Sequence, residues 1–269
     1  MLKKYLGNKN FVIGASLVMF LLLLLIYSFI NLPYDPNKMD TSNTFLRPSP
    51  SHIMGTDNFG RDIFSRILKG SQSAFLVGIA AVGISMIIGV FLGAVSGYFQ
   101  GWLDKIISVI MDAEMAFPGV ILALIFITVF KNGIFNIAMA LAIMTIPRFF
   151  RITRSGFMQI KEMDYIAAAK ARGASDFRLM FLHILPNITS SLIVTASLGF
   201  STAVLSEAGL SYLGLGIQPP DASWGKMLFE AQSYLLIQPW YAVIPGTMIT
   251  LMVLGFNLLG DGIRDVTNH

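Results

Sequence analysis

The 269-residue chain is 55% hydrophobic and only 13% charged, far from the ~25% charge of an ordinary soluble domain, and that balance places it in a bilayer. It has no cysteine, which excludes disulfide staples and thiolate metal sites, and its three histidines, His52, His183 and His269, are scattered without a partner at ligand spacing. The net charge of +4 and pI near 9.3 do not signal nucleic acid, because the basic residues cluster beside apolar spans instead of alternating with aromatics.

About 20 apolar residues are needed to cross the hydrocarbon as a helix, and six stretches qualify: 11–30, 74–98, 105–130, 134–150, 188–210 and 240–260. Lys3, Lys4 and Lys9 precede the first, but the run leads into Asn31-Leu32-Pro33-Tyr34 without a small-x-small cleavage pattern, so it reads as a true span and not a signal peptide. Its bulky Val18–Ile26 core has no small groove and suits a lipid-facing, peripheral anchor. Residues 31–73 form a polar outer loop rich in Pro, Asn, Asp and Ser. Within it GTDNFGRD (55–62) superficially resembles the phosphate loop G-x-x-x-x-G-K-[ST], yet it lacks the final Lys-Ser/Thr and follows no strand. A tight turn at Gly55 and Gly60, with Asp62 opening a short interfacial helix through Ser65, Arg66 and Lys69, is the expectation.

The second span carries Gly78, Gly83, Gly89, Gly93 and Gly97, the last three on one face at four-residue spacing. Such spacing lets helices approach closely in lipid, so this span is central. Asp112 and Glu114 fall inside or at the inner end of the third span, where an ionised carboxylate is costly. Either they lie at the inner interface before Pro118, or they serve gating or pair with a cation on a neighbouring helix. The fifth span is rich in hydroxyls (Thr189, Ser190, Ser191, Thr195, Ser197, Ser201, Thr202), which either bond within and between helices or line a wet path. Ser197 and Ser201, with Asp112 and Glu114, are the pathway or gating candidates. Residues 211–239 form a second outer loop with Pro219, Pro220 and Pro239; in the last span Pro245 marks a kink and Asn257 a buried polar contact.

Twelve of the nineteen basic residues (Lys3, Lys4, Lys9, Lys105, Arg148, Arg151, Arg154, Lys161, Lys170, Arg172, Arg178 and Arg264) fall on the inner side if the N-terminus is inside. The outer set is Lys38, Arg47, Arg61, Arg66, Lys69, Lys131 and Lys226, five of them in the long 31–73 loop, where the bias is weaker. Both termini and loop 151–187 are therefore expected to be cytoplasmic.

That inner loop holds two helix-sized pieces joined at a glycine. Ala167, Ala168, Ala169 and Ala171 favour helix, Glu162 and Asp164 suit its N-terminus, and Arg172 falls in its last turn before Gly173. After Ala174, Ser175 is a good N-cap with Asp176 at the first helical position, and the second piece runs to Leu185 and Pro186. The pair predicts a rigid knob whose alanine face admits another protein's backbone. His183, just before the proline, is expected to be a structural hydrogen-bonding residue.

This segment resembles the cytoplasmic EAA loop of ABC importer permeases: Glu-Ala-Ala, three residues, Gly, about nine residues, then Ile-x-Leu-Pro. Here it stands as Ala167-Ala168-Ala169, Gly173 and His183-Ile184-Leu185-Pro186-Asn187. GTDNFGRDIFSR before the second span, AFPG at 116–119 and LSYLGLG at 210–216 are similar to the peptide/nickel branch. The resemblance implies an all-α integral membrane protein of six transmembrane helices, one N-terminal helix ahead of a five-helix type I importer core. It implies residues 1–73 as that helix and outer loop, and 74–269 as the permease core with coupling loop 151–187. Implied partners are a second homologous permease, two ATPase subunits carrying ATP and Mg, an extracellular or periplasmic solute-binding protein, and the lipid of a bacterial plasma membrane; no nucleic acid, metal or cofactor is expected on this chain. Ala167, Ala168, Ala169, Gly173, Ala174, Ser175, Asp176, Leu185 and Pro186 would carry the ATPase contact. Ala167 replaces the family glutamate, so a charge contact there is absent or supplied by Glu162 or Asp164. Peptide and nickel or metallophore cargoes share these motifs, with peptides preferred as the broader branch. An integral-membrane enzyme centred on Asp112 and Glu114 is the competing class, and no nucleophile or metal motif converges there.

Overall fold

A computed structural model describes residues 2–130 and 133–267; Lys131 and His269 lie outside them, as does the side chain of Lys3. The elements in chain order are α1 (Leu2–Gly7), α2 (Lys9–Ile30), α3 (Ile63–Phe99), α4 (Gly101–Ala116), α5 (Gly119–Phe130), α6 (Ile134–Lys161), α7 (Asp164–Ala171), α8 (Asp176–Arg178), α9 (Leu185–Tyr212), α10 (Trp224–Ala231) and α11 (Pro239–Thr267). A π-helical segment, Leu179–Ile184, joins α8 to α9. Among the described residues five helices are long and apolar enough to cross a membrane (α2, α3, α6, the joined α8–α9 and α11), and α4 with α5 supplies a sixth crossing if that bent pair counts as one span.

Three expected boundaries move. The second span begins at Ile63, because Asp62 caps it by accepting the Ser65 amide at 2.7 Å and nothing in the following residues breaks the helix. The expected interfacial helix is therefore the first turns of α3, and the division at residue 73 falls inside it. The third span is not straight: α4 and α5 meet at 92°. Pro118 offers no amide proton and pushes Phe117 out of the helical region, to φ −88°, ψ 138°. Finally, Pro186 does not end its helix. The Leu185 amide reaches back five residues to the Met180 carbonyl, and this wider turn leaves room for the proline ring, which in a regular α-helix would meet the carbonyl of residue 182.

The glycine stripe of α3 packs on α6. A Cβ at Gly89 would lie 2.6 Å from the Phe149 Cβ, at Gly93 2.6 Å from the Phe150 carbonyl oxygen, and at Gly97 2.6 Å from that of Arg154. Where lipid gives no hydrophobic drive between helices, this closeness is what lets dispersion and Cα–H contacts hold the pair. The first span is peripheral, with Met19, Phe20, Leu23 and Ile26 exposed, but it does possess a groove: Gly14 abuts the backbone of Leu258 and Leu259 on α11, and Gly262 abuts that of Phe11.

At the end of the bundle where α3 begins, the loop after α2 folds onto the start of α3 and onto α10. Asp57 accepts Nε of Arg61 at 2.6 Å, while Glu230 accepts Nη2 of Arg61 at 2.7 Å and Nη2 of Arg66 at 3.1 Å. Tyr241 donates to Glu230 at 3.2 Å. Burial works to lower the Arg61 pKa, and the facing Asp57 and Glu230 carboxylates outweigh it and raise it. The Gly55 and Gly60 turn is present, with φ of 76° and 72°. Beside the cluster the Trp224 indole donates to the Ile67 carbonyl at 3.0 Å over Gly70.

Candidate functional site

At the opposite end of the bundle, beside the close of α3, α7 turns into α8 through a corner whose backbone is closed by two bonds. The Gly173 amide donates to the Lys170 carbonyl at 2.9 Å and the Ala174 amide to that of Ala169 at 3.2 Å, the paired pattern of a left-handed helix stop. Gly173 sits at φ +83° with nothing within 4 Å of a would-be Cβ, so the position demands glycine for its conformation and not for space. Ser175 then caps α8, accepting the Arg178 amide at 3.4 Å.

The elbow is fixed to the bundle by its apolar underside. Ile166, Leu179, Met180 and Ile184 are buried with Phe157 and Ile160 of α6 and Ala94 of α3, and Ala169 and Ala174 rest against the same cluster. A polar strut adds to this: the Tyr98 hydroxyl at the end of α3 donates to Asp176 at 2.5 Å, and Lys161 donates to the Tyr98 carbonyl at 2.7 Å. The outward face is formed by Ala167, Ala168 and Ala171, with Glu162 and Asp164 exposed beside them.

Residues the sequence pattern did not single out lie beside the elbow, where Phe177 and Phe181 border a groove with Phe91, Val95 and Phe99 of α3. Phe177 is 71% exposed and Leu182 65% exposed, and Phe177 packs on Phe181 with ring centroids 4.5 Å apart. A phenylalanine set between Asp176 and Arg178 was the available signal. Leu185 is half-buried and Pro186 exposed. His183 contributes its carbonyl, which accepts the Asn187 side-chain amide at 2.6 Å, and not its ring.

The pathway candidates do not come together. Asp112 pairs with Arg151 of α6 at 2.7 Å on an exposed surface, the cross-helix cation alternative. Glu114, two residues on, has a buried Oε1 without a hydrogen-bond partner among the described residues. Ser197 donates to the Phe256 carbonyl at 2.6 Å and Ser201 lies 3.3 Å from that of Val253. Both serines are buried between α9 and α11, so their hydroxyls serve helix packing and do not face a wet path. Thr189, Thr195 and Thr202 bond back to carbonyls of their own helix.

A carboxylate absent from the expected set lies deeper. Glu207, the one charged residue of α9, is 3% exposed and accepts the hydroxyls of Ser211 at 2.6 Å and Ser223 at 2.8 Å. It ties the outer loop before α10 to the fifth span. A lone acid inside an uncharged span is the signal that would find it.

Residues 89–269 match the family described as "Binding-protein-dependent transport system inner membrane component". The chain is similar to the glutathione transport system permease protein GsiD of Pectobacterium atrosepticum, at 40% identity over 98% of this chain and 88% of that one. It is likewise similar to the dipeptide transport system permease protein DppC of Alkalihalophilus pseudofirmus, at 40% identity over 96% and 85%. A third relative is the probable D,D-dipeptide transport system permease protein DdpC of Escherichia coli K12, at 41% identity over 97% and 87%. A solved chain of the methionine ABC transporter MetNI, in an inward-facing conformation, shares the fold with a TM-score of 0.62 at 18% identity, over 74% of this chain and 95% of that one. The all-helical bundle and these matches agree, and the chain belongs to the inner membrane components of binding-protein-dependent transport systems, the multi-pass permease subunits of ABC importers.

Proposed function

We propose that this chain forms half of the translocation pathway of an ATP-driven importer of short peptides, and that the α7–α8 elbow is the surface gripped by a separate ATPase. The observation that carries the docking role is the corner at Gly173, beside which Ala167, Ala168 and Ala171 are left exposed. Small side chains let a partner backbone approach closely. In this reading Ala167, Ala168, Ala169, Gly173, Ala174, Ser175, Asp176, Leu185 and Pro186 form or frame that contact. Glu162 and Asp164 stand beside Ala167 in place of the family glutamate.

A second related permease completes the pathway, an external binding protein delivers cargo, and two ATPase subunits hold ATP and Mg and carry out the hydrolysis. The N-terminal helix and the loop after it, up to the start of α3 at Ile63, anchor the chain, and the helices from α3 onward carry the transport core. The ATPases move the elbow only to the extent that they bind its two positions with different affinity, and that difference is the coupling free energy. Peptide cargo is preferred to nickel because the relatives described above are named for glutathione, dipeptides and D,D-dipeptides.

Because the chain has no cysteine, Ala168→Cys creates a single label site. A membrane-impermeant maleimide should react with it in inverted vesicles and not in intact cells. Reaction from outside would end the docking assignment. Uptake of labelled dipeptide against labelled nickel, in a strain lacking this chain, tests the cargo: loss of nickel uptake alone would end the peptide reading.

A further inference from the structure

Two adjoining cavities open between α6, α9 and α11 toward the inner end. One, of about 410 Å³, is lined by Arg148 and Ile152 of α6, Ser190, Ser191 and Thr195 of α9, and Arg264 of α11. The other, of about 610 Å³, shares Ile152 and Ser191 with it and reaches Met163 and Tyr165 at the elbow. Arg151 and Arg154 pair with Asp112 and Asp104, but Arg148 and Arg264 have neither a carboxylate nor a hydrogen-bond partner among the described residues. The hydroxyls of Ser190 and Ser191 are equally unspent.

Both guanidinium groups are exposed on this chain. Gly156 of α6 lies level with Ile188 of α9, a would-be Cβ 2.5 Å from its Cγ2, and Arg148 is two helical turns, about 12 Å, outward of that level. Its neighbours Ile146, Pro147, Phe149 and Phe150 are all buried. Arg148 stands one turn from the exposed Arg151–Asp112 pair, where a guanidinium can meet water. The cleft is an open vestibule whose walls offer two cations and two free hydroxyls, a donor set matched to a carboxylate.

We propose that Arg148 and Arg264, with Ser190 and Ser191, form a station for the C-terminal carboxylate of the cargo at the inner mouth of the pathway. This rests on the peptide reading above. An open cleft keeps the attraction weak, as release requires. The elbow borders the same space: Asn187 donates to the Tyr165 hydroxyl at 3.3 Å, so a shift of α7 changes the cleft that holds the carboxylate.

The test uses the complete transporter in proteoliposomes, with initial uptake rates for tri-alanine and for its C-terminal amide. Any preference for the acid that belongs to the binding protein cancels when the acid-to-amide ratio of a variant is divided by that of the wild type. Arg148→Gln should lower the ratio about tenfold, the low end for a hydrogen bond to a charged group, and Arg148→Lys should restore part of it. Should Arg148→Gln fail to assemble, Arg264→Gln on the opposite wall carries the same comparison. An unchanged ratio with uptake intact overturns the station and leaves the peptide reading standing. An equal loss for both probes that appears only in vesicles containing phosphatidylglycerol reassigns the arginines to a lipid phosphate and overturns it too, as does an equal loss in any vesicle. Wild-type uptake of neither probe would overturn the peptide reading and the station with it.

Discussion

Replacing Gly173 tests the elbow most directly, because its cost can be worked out without a clash. The residue sits at φ +83° with open space around a would-be Cβ, so only backbone conformation is charged. The left-handed region costs an ordinary residue roughly 1–2 kcal/mol, and a β-branched side chain resists it most. A penalty of that size depopulates the bent corner by a factor of about 5 to 30. The apolar underside, anchored by Ile166 and Leu179, is untouched, so the chain should still insert and assemble. Gly173→Val is expected to co-purify with its partners at normal yield, yet to take up peptide at least fivefold more slowly per ATP hydrolysed. Gly173→Asn should keep most of the coupling, since asparagine tolerates a left-handed C′ position. The assay is uptake and ATPase rate measured together in proteoliposomes. Wild-type coupling in Gly173→Val, or a defect in Gly173→Asn as deep as in Gly173→Val, would refute the conformational reasoning.

Four further expectations concern what holds the bundle together. Gly93→Ala places a methyl 2.6 Å from the Phe150 carbonyl oxygen and should cost about 1–3 kcal/mol through overpacking of α3 on α6, seen as a lower Tm in detergent. Gly83→Ala, with nothing within 4 Å, should leave Tm unchanged. Tyr98→Phe removes the strut to Asp176, worth about 1.5–3 kcal/mol for a bond to a charged group; amide exchange across 164–178 should speed up while the rest of the bundle keeps its protection. Glu230→Gln leaves Arg61 and Arg66 short of a buried counter-charge and should destabilise the outer end by about 3–5 kcal/mol, read as early proteolysis in the 31–62 loop.

What could be read from the chain was local. The glycine stripe at 89, 93 and 97, the Asp62 cap, and the alanine run stopped at Gly173 each depend on residues within about one turn of one another, and each is found where its spacing put it. The break at Pro118 was signalled by the dipeptide Phe117-Pro118, but continuous hydropathy across 105–130 conceals a bend, because a transfer scale is blind to backbone geometry. Other features arise from partners far apart along the chain. Glu230 lies 169 residues from Arg61, and Gly14 finds its complement only when α11 returns beside it. No spacing rule reaches across such separations. The hydroxyls of the fifth span divide by the same cause: Ser197 and Ser201 face α11 while Ser190 and Ser191 face a cleft, a distinction set by which helix packs on which side.

The unbroken passage from α8 into α9 bears on how motion at the elbow travels. A helix that ended at Pro186 would leave a flexible joint between the docking surface and the fifth span, and any displacement imposed by a partner would be absorbed there. Instead residues 176–212 form one 37-residue rod, roughly 50 Å long at the α-helical rise. The π-helical segment is its weak point, but Leu179, Met180 and Ile184 within it are buried against α6, so bending it would also unpack that cluster. At the far end of the rod Glu207 accepts the hydroxyls of Ser211 and Ser223, which attaches the outer loop before α10 to the same helix. In the proposed mechanism a tilt applied at Gly173 is therefore delivered both to the vestibule walls at Ser190 and Ser191 and to the outer loop. Inner and outer mouths then change together because a single stiff element forms part of each.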